Sequence, residues 1–167
     1  MTDYSSSAAR PWYSYLSQIK TIFISGITHI GNWCFASCSN VKSVTIPSSV
    51  TTIGERCFNE CTALTSITIP SSVTVIRDSC FYDCTALTSI TIPDSVTSIG
   101  NYCFGFCTAV TSITFRGNKP TLGSNSFNLS SSTPSVTATV YSSGWANATV
   151  FTSTIIGSYT TLSYVTV

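Results

Sequence analysis

The sequence predicts a solenoid of stacked short repeats, with a parallel β-sheet on one face and short helical turns on the other. Three residue types support this fold class, because each recurs at a step of 23 positions. The phenylalanine series comprises Phe35, Phe58, Phe81, Phe104 and Phe127. The proline series comprises Pro47, Pro70 and Pro93. All eight cysteines fall into two further series, Cys34, Cys57, Cys80 and Cys103, and Cys38, Cys61, Cys84 and Cys107.

The first half of a repeat has the pattern of a short strand. Leu64, Ile67 and Ile69 alternate with polar residues, so that one face of the strand is buried. Pro70 ends the strand, because proline cannot donate a hydrogen bond to a neighbouring strand. Strands of successive repeats then lie in parallel about 4.8 Å apart, each residue beside its counterpart.

The second half of a repeat turns the chain back. Val73 and Ile76 begin a second extended or turning stretch. Cys80, Phe81 and Cys84 follow at the spacing i, i+1 and i+4, which fits one inward-facing helical turn. Such a unit cannot bury its apolar face alone, so we expect the repeats to stack into a continuous core.

The repeat pattern divides the chain into three parts. Residues 19–130 are predicted to hold five repeats, of which the first and the last are degenerate. Residues 1–18 are predicted to form an N-terminal cap, because terminal repeats need an altered outer face. Residues 131–167 are predicted to form a β-rich C-terminal cap or the start of a following region, with strands over 135–141 and 149–156.

Composition and charge exclude several classes of protein. Charged residues make up 8% of the chain, against about 25% in typical proteins. The basic residues are scattered, whereas a nucleic-acid-binding protein needs a clustered basic face. No apolar run approaches the roughly 20 residues of a membrane-spanning helix. The first residues also lack the basic start and the apolar stretch of a signal peptide.

The paired cysteines leave three interpretations open. Buried free thiols are favoured, because free cysteine packs as a small hydrophobic residue. Disulfides are the second interpretation, since stacked Cα atoms near about 5 Å fall within the permitted range and an even count is typical of extracellular proteins. A zinc site is the least favoured, because structural zinc prefers closer Cys-x-x-Cys pairs.

Outward positions of the predicted strands carry rows of hydroxyl groups. Ser66 and Ser89 belong to one row, and Thr68 and Thr91 belong to the row beside it. A regular hydroxyl array is a candidate docking surface for a glycan or for a strand of a partner protein. The simpler interpretation is that threonine suits a half-exposed strand and that repetition copies it.

Two aromatic residues are candidate partner contacts on the turns. Trp33 stands at the repeat position that Arg56, Ser79 and Tyr102 hold elsewhere, and tryptophan is frequent at binding hot spots. Phe106 lies in the part of the turn that varies most between repeats. It is predicted to be either an exposed apolar contact or a part of the core.

The sequence offers no catalytic constellation. The single histidine, His29, occupies a variable repeat position, and no carboxylate has a spacing that would join it in a Ser–His–Asp triad. No glycine-rich phosphate-binding loop is present. We therefore predict that the protein is not an enzyme and takes neither a cofactor nor a metal.

The repeat unit Leu-x-x-Ile-x-Ile-Pro-x-x-Val-x-x-Ile-Gly-x-x-Cys-Phe-x-x-Cys resembles the BspA-like class of leucine-rich repeat, over about residues 19 to 130. In that class alanine usually precedes the phenylalanine, whereas this chain has cysteine there. The resemblance implies a curved, right-handed solenoid in a bacterial protein that is secreted or lies on the cell surface. It also implies adhesion to host or matrix proteins, and it carries no catalytic residues.

The predicted function is that of a non-enzymatic binding or adhesion module, monomeric and displayed on a bacterial cell surface. It would recognise a host or matrix protein, or a glycan, through the solenoid surface. The alternative is a structural spacer or stalk that has no ligand of its own. Variation between repeats at exposed positions favours recognition, whereas uniform faces favour the spacer.

Overall fold

A computed structural model of the chain describes residues 2–129, 136–141 and 160–164. Two 3₁₀ helices, Ser7–Ala9 and Tyr13–Gln18, precede the strands. The strands follow in chain order as β1 (Ile22–Phe23), β2 (His29–Ile30), β3 (Ser43–Thr45), β4 (Thr52–Ile53), β5 (Ser66–Thr68), β6 (Val75–Ile76), β7 (Ser89–Ile92), β8 (Ser98–Ile99), β9 (Ser112–Phe115), β10 (Thr121–Leu122), β11 (Val136–Val140) and β12 (Thr160–Tyr164).

The odd-numbered strands form the predicted parallel sheet. They pair as β1–β3–β5 and as β7–β9–β11, and the even-numbered β12 joins this sheet beside β11. The Thr88 amide donates to the Thr65 carbonyl at 3.4 Å and so connects the two groups of strands. Ser43 lies beside Ser66, and Ser89 lies beside Ser112, so the 23-residue register is confirmed. The register holds because shifting a strand by one residue would expose its isoleucines.

The even-numbered strands from β2 to β10 form a second, narrower parallel sheet, in the order β10–β8–β6–β4–β2. Each of these strands has two residues, the second of which points into the core, as Ile53 and Ile76 do in β4 and β6. The stretch predicted to be extended or turning from Val73 to Ile76 begins as a tight turn, in which the Val73 amide donates a hydrogen bond to the Pro70 carbonyl. It ends as strand β6.

The third side of each repeat consists of tight turns in place of a regular helical turn. The Ala36 amide donates to the Trp33 carbonyl at 3.3 Å, which is an i→i+3 bond within the turn. The Phe35 amide instead donates to the Cys57 carbonyl of the next turn at 2.8 Å. Trp33 and Ser37 adopt left-handed φ angles of 61° and 60°. With this backbone conformation, some amides of the turn donate hydrogen bonds within their own turn and others donate to the next turn.

A column of phenylalanine rings runs through the interior behind these turns. The ring centroids of Phe35, Phe58, Phe81, Phe104 and Phe127 lie 5.5, 5.4, 5.2 and 5.1 Å apart in succession. All eight cysteines are buried beside this column as free thiols. The sulfur of Cys84, for example, donates to the Phe58 carbonyl at 3.3 Å, so that the thiols also bridge neighbouring repeats.

The N-terminal segment covers the first ring of this column. Trp12 stacks on Phe35 with centroids 6.4 Å apart, and its indole Nε1 donates to the Cys34 carbonyl at 3.2 Å. Arg10 is 3% exposed and donates to the carbonyls of Cys34 and Ala36. These contacts cover the first ring of the column, and the predicted bounds of the N-terminal cap, residues 1–18, stay a prediction.

At the other end the odd-numbered sheet continues past the last cysteine pair. Strand β11 pairs with β9 and with β12, both in parallel. The β11 strand agrees with the strand predicted over residues 135–141. The strand predicted over residues 149–156 lies outside the described residues.

Candidate functional site

The six candidate binding residues lie on two different faces of the solenoid. Ser66 and Thr68 in β5, with Ser89 and Thr91 in β7, are exposed on the odd-numbered sheet, which we call the sheet face. Trp33 and Phe106 lie on the tight turns, which form the turn face. The grooves on the two faces share no residue.

The sheet face carries a groove of about 490 Å³. The four predicted hydroxyl residues line it together with Pro93, Asp94 and Arg116. Other threonine rows serve the fold, because their hydroxyls donate to the backbone of the preceding repeat. Examples are Thr65 to the Lys42 carbonyl and Thr97 to the Thr74 carbonyl, at 3.1 and 3.2 Å.

The turn face carries a row of unlike side chains at one repeat position. Trp33, Arg56, Ser79 and Tyr102 follow one another along the solenoid, and all four adopt a left-handed φ between 50° and 61°. The Arg56 guanidinium carbon lies 4.8 Å from the centre of the Trp33 ring, in a cation–π contact. Glu55 lies 3.4 Å from the same guanidinium and helps to hold it there.

A groove of about 420 Å³ opens in this row where the side chain is smallest. Ser79 lies between Arg56 and Tyr102 and leaves the space between them unfilled. The other residues that line the groove are Trp33, Asn59, Glu60 and Tyr82. We call this cavity the turn-face groove.

Phe106 is exposed and not part of the core. Its side chain is 41% exposed, and its ring lies 5.3 Å from that of Tyr82, tilted by 59°. Gly105 gives the Tyr82 ring room here, because a Cβ atom at that position would lie 3.1 Å from the ring and would force it to shift slightly. Tyr82 therefore connects Phe106 to the turn-face groove.

One carboxylate, that of Glu60, lines the groove together with Arg56. Glu60 accepts a hydrogen bond from the Ser37 hydroxyl at 3.2 Å. Partial burial and the neighbouring Glu60 together raise the pKa of Asp83 above its usual value. The groove thus combines aromatic rings with a cation and a carboxylate.

The described residues show no arrangement for acid–base or nucleophilic chemistry. His29 Nε2 lies 3.2 Å from Asp3 Oδ1 at the exposed N-terminal end, and the Asn32 amide and His29 lower the pKa of Asp3. Burial raises the pKa of the Cys34 and Cys38 thiols to about 11, so they stay protonated and unreactive. Within the described ranges no group of three or more His, Cys, Asp or Glu side chains is placed to hold a metal ion.

Some surface residues escaped the sequence-based prediction. Phe23 is 93% exposed and pairs with Thr45, so it occupies the hydroxyl row of the sheet face. Arg56, Tyr82 and Tyr102 line the turn-face groove and were not predicted as contacts. For Phe23 the signal was an unlike residue in a regular threonine row, and for the other three it was a repeat position that changes from one repeat to the next.

The comparisons with known proteins agree with this architecture. The family model described as "BspA type Leucine rich repeat region" matches residues 10–140 in six copies. No curated protein matches the sequence. No helix among the described residues has the length and apolar character needed to cross a membrane.

Solved bacterial structures resemble the chain at moderate identity. A leucine-rich repeat protein from Eubacterium ventriosum is 31% identical, with a TM-score of 0.71 over 86% of this chain and 38% of its own. A leucine-rich repeat protein from T. pallidum is 27% identical, with a TM-score of 0.59 over 70% of this chain and 54% of its own. A leucine-rich cell surface protein from Faecalibacterium prausnitzii is 30% identical, with a TM-score of 0.50 over 67% and 36%. The chain thus spans about half, or less, of the length of these proteins.

Proposed function

Since the chain belongs to the BspA-type leucine-rich repeat family, we propose that it is a non-enzymatic module that binds a protein partner at a bacterial cell surface. Leucine-rich repeat proteins are generally non-enzymatic, and one relative is described as a cell surface protein. The thiols, whose raised pKa values leave them protonated, fit this proposal.

The observation that carries the proposal is the composition of the turn-face groove. Binding hot spots are enriched in tryptophan, tyrosine and arginine. Trp33, Arg56, Tyr82 and Tyr102 bring these three types together around one cavity, and Phe106 extends the apolar surface. A uniform spacer has no need of such a set, because the fold requires no particular side chain at these positions.

The sheet face is the second candidate surface, and its chemistry favours a glycan. Its groove places Asp94 and Arg116 beside the exposed hydroxyls of Ser66, Thr68, Ser89 and Thr91. These groups supply donors and acceptors but no exposed aromatic ring. Recognition there would depend on hydrogen bonds repeated at each strand.

A binding screen tests the proposal and separates the two faces. The purified chain is tested against a panel of extracellular-matrix proteins and a glycan array, together with the variants Tyr102→Ala and Thr68→Lys. We expect saturable binding to a protein that Tyr102→Ala weakens by about tenfold or more and that Thr68→Lys leaves unchanged. The reverse pattern, with a glycan as the ligand, would assign recognition to the sheet face.

A blank result with both panels would favour the spacer. Folding of each variant is checked by its melting midpoint, because both substitutions change exposed side chains and should leave the fold intact. Phe106→Ala is a further variant at the edge of the groove, and an unchanged affinity would remove Phe106 from the binding surface.

A further inference from the structure

The unfilled space at Ser79 lies where one more planar side chain would continue the row of Trp33 and Arg56 towards Tyr102. Arg56 already lies on the Trp33 ring, and Tyr102 stands two repeats further along from Arg56. The phenylalanine rings behind the same turns are spaced by 5.2–5.5 Å between Phe35 and Phe104. Since one repeat lies between those of Arg56 and Tyr102, the space between the two side chains has room for one planar group. That group would lie one such spacing from Arg56 and one from Tyr102.

The backbone at Ser79 has the same conformation as at the neighbouring positions of the row. Ser79 has a φ of 51°, and Arg56 and Tyr102 have φ angles of 51° and 50°. The Ser79 amide also donates to Asn101 of the next turn at 2.8 Å, as the Arg56 amide does to Asp78 at 2.9 Å. The groove is therefore a consequence of side-chain size alone and not of a local change of fold.

From this geometry we propose that the turn-face groove takes one aromatic side chain, a tyrosine or a tryptophan, from the protein partner. The inserted ring lies between the Arg56 guanidinium and the Tyr102 ring and completes the row that begins at Trp33. This inference rests on the proposed function and specifies the chemistry of the partner.

The charges around the groove favour an aromatic ring with a hydrogen-bond donor. The Arg56 guanidinium attracts the electron-rich face of an aromatic ring. The Glu60 carboxylate accepts one hydrogen bond from Ser37 and has further lone pairs for a phenol O–H or an indole N–H. A site that combines aromatic rings with a hydrogen-bond acceptor fits tyrosine or tryptophan better than phenylalanine or leucine.

The probe for this site is N-acetyl-L-tryptophanamide, titrated into the full chain and followed by NMR, with N-acetyl-L-leucinamide and chitotriose as comparisons. We expect saturable shifts of the Arg56 and Tyr102 signals with the tryptophan probe and no saturable shift with the other two. An equal response to leucinamide, a stronger response to chitotriose, or no saturable response to the tryptophan probe would overturn the proposal.

Ser79→Tyr provides the decisive variant, because it fills the gap with the ring that Tyr102 already carries on the same backbone conformation. We expect it to weaken the tryptophan probe by about tenfold or more, whereas the matched Ser79→Ala keeps the affinity within about twofold. If Ser79→Tyr loses its melting transition, Tyr102→Ala serves instead, since it removes one wall of the site and should weaken the probe similarly.

The two proposals fail in different ways. If a matrix protein binds, and Tyr102→Ala abolishes binding while Ser79→Tyr does not, the binding module stands and the aromatic insertion is wrong. If the tryptophan probe binds at the gap and Ser79→Tyr excludes it, the aromatic site is supported independently of whether the panel contains the partner.

Discussion

The sheet face and the turn face are built by the same repeats, yet their exposed residues vary to different degrees. On the sheet face, the exposed positions of β3, β5 and β7 keep one serine and one threonine per strand. On the turn face, one repeat position holds four different side chains, Trp33, Arg56, Ser79 and Tyr102. The interiors behind both faces repeat closely, with isoleucine and valine under the sheet and cysteine and phenylalanine under the turns.

The difference shows where the fold leaves the choice of residue free. Four unlike side chains share nearly the same left-handed φ on the turn face, so the backbone and the buried residues alone maintain that conformation. A position that accepts any side chain can be used for recognition without loss of the fold. The interiors should therefore carry the stability, and the turn-face side chains should be dispensable for it.

Alkaline pH should have the largest effect, because it acts on all the thiols under the turn face. Burial raises the pKa of Cys34 and Cys38 to about 11, and that of Cys107 to about 12. An unfolded chain releases these protons near about pH 8.5, whereas the folded chain retains them. Stability is therefore complete below about pH 8.5 and is lost as the pH rises towards about 11, by about 1.4 kcal/mol per pH unit for each such thiol.

The alkaline prediction is measured as the melting midpoint between pH 7 and about pH 11, under reducing conditions. Cys80→Ala is the matched variant, because it removes one fully buried thiol and keeps a small apolar side chain. It should make the loss of stability with pH less steep. A midpoint that stays constant up to about pH 11 would contradict the burial of the thiols.

Removing one ring from the phenylalanine column should have the next largest effect. Phe81 is fully buried between Phe58 and Phe104, with ring centroids 5.4 and 5.2 Å away. Phe81→Ala should lower the free energy of unfolding by about 3–5 kcal/mol, because a continuous column cannot collapse around the cavity. Denaturant unfolding measures this change.

The exposed Phe23 provides the control for this experiment. It is the same residue type at 93% exposure, so Phe23→Ala should change the free energy of unfolding by no more than about 0.5 kcal/mol. Similar losses for Phe23→Ala and Phe81→Ala would mean that the two rings have been assigned to the wrong sides of the chain.

The interior of the sheet face should respond less strongly than the phenylalanine column. Ile67 is 8% exposed and lies beside Val44 in the sheet. Ile67→Ala should cost about 2–3 kcal/mol, the lower part of the range for buried isoleucine. Its neighbour Thr68 is exposed, and Thr68→Ala should stay within about 0.5 kcal/mol in the same unfolding measurement. An unchanged midpoint for Ile67→Ala would place that side chain on the outer face.

The interior and the register could be predicted because they depend on periodicity. A strict step of 23 residues places Ile67 beside its counterpart Ile90 and Phe81 beside Phe58, whatever the details of the turns. The first strand also pairs as its shorter step implies, with Ile22 beside Val44. Repetition thus supplies long-range information that a single copy of the repeat does not contain.

The turns and the groove could not be predicted in the same way. The spacing of Cys80, Phe81 and Cys84 matches a helical turn, but Ser79 and Asp83 adopt left-handed φ angles that non-glycine residues rarely take. Amides paired to the next turn offset that cost, and such pairing exists only in the stacked solenoid. The groove likewise depends on which unlike residues fall on consecutive repeats, as Arg56 and Tyr102 do around Ser79.

The smallest expected effect concerns the contact between Trp33 and Arg56. A double-mutant cycle with Trp33→Ala, Arg56→Ala and the combined variant should give a coupling of about 0.5–1 kcal/mol in the free energy of unfolding, as is typical of exposed cation–π pairs. A coupling near zero would mean that the guanidinium does not lie on the ring in solution. A coupling well above about 2 kcal/mol would make the pair a structural element of the turn. Only the small value agrees with turn-face side chains that contribute little to folding and whose identity is therefore free to serve recognition.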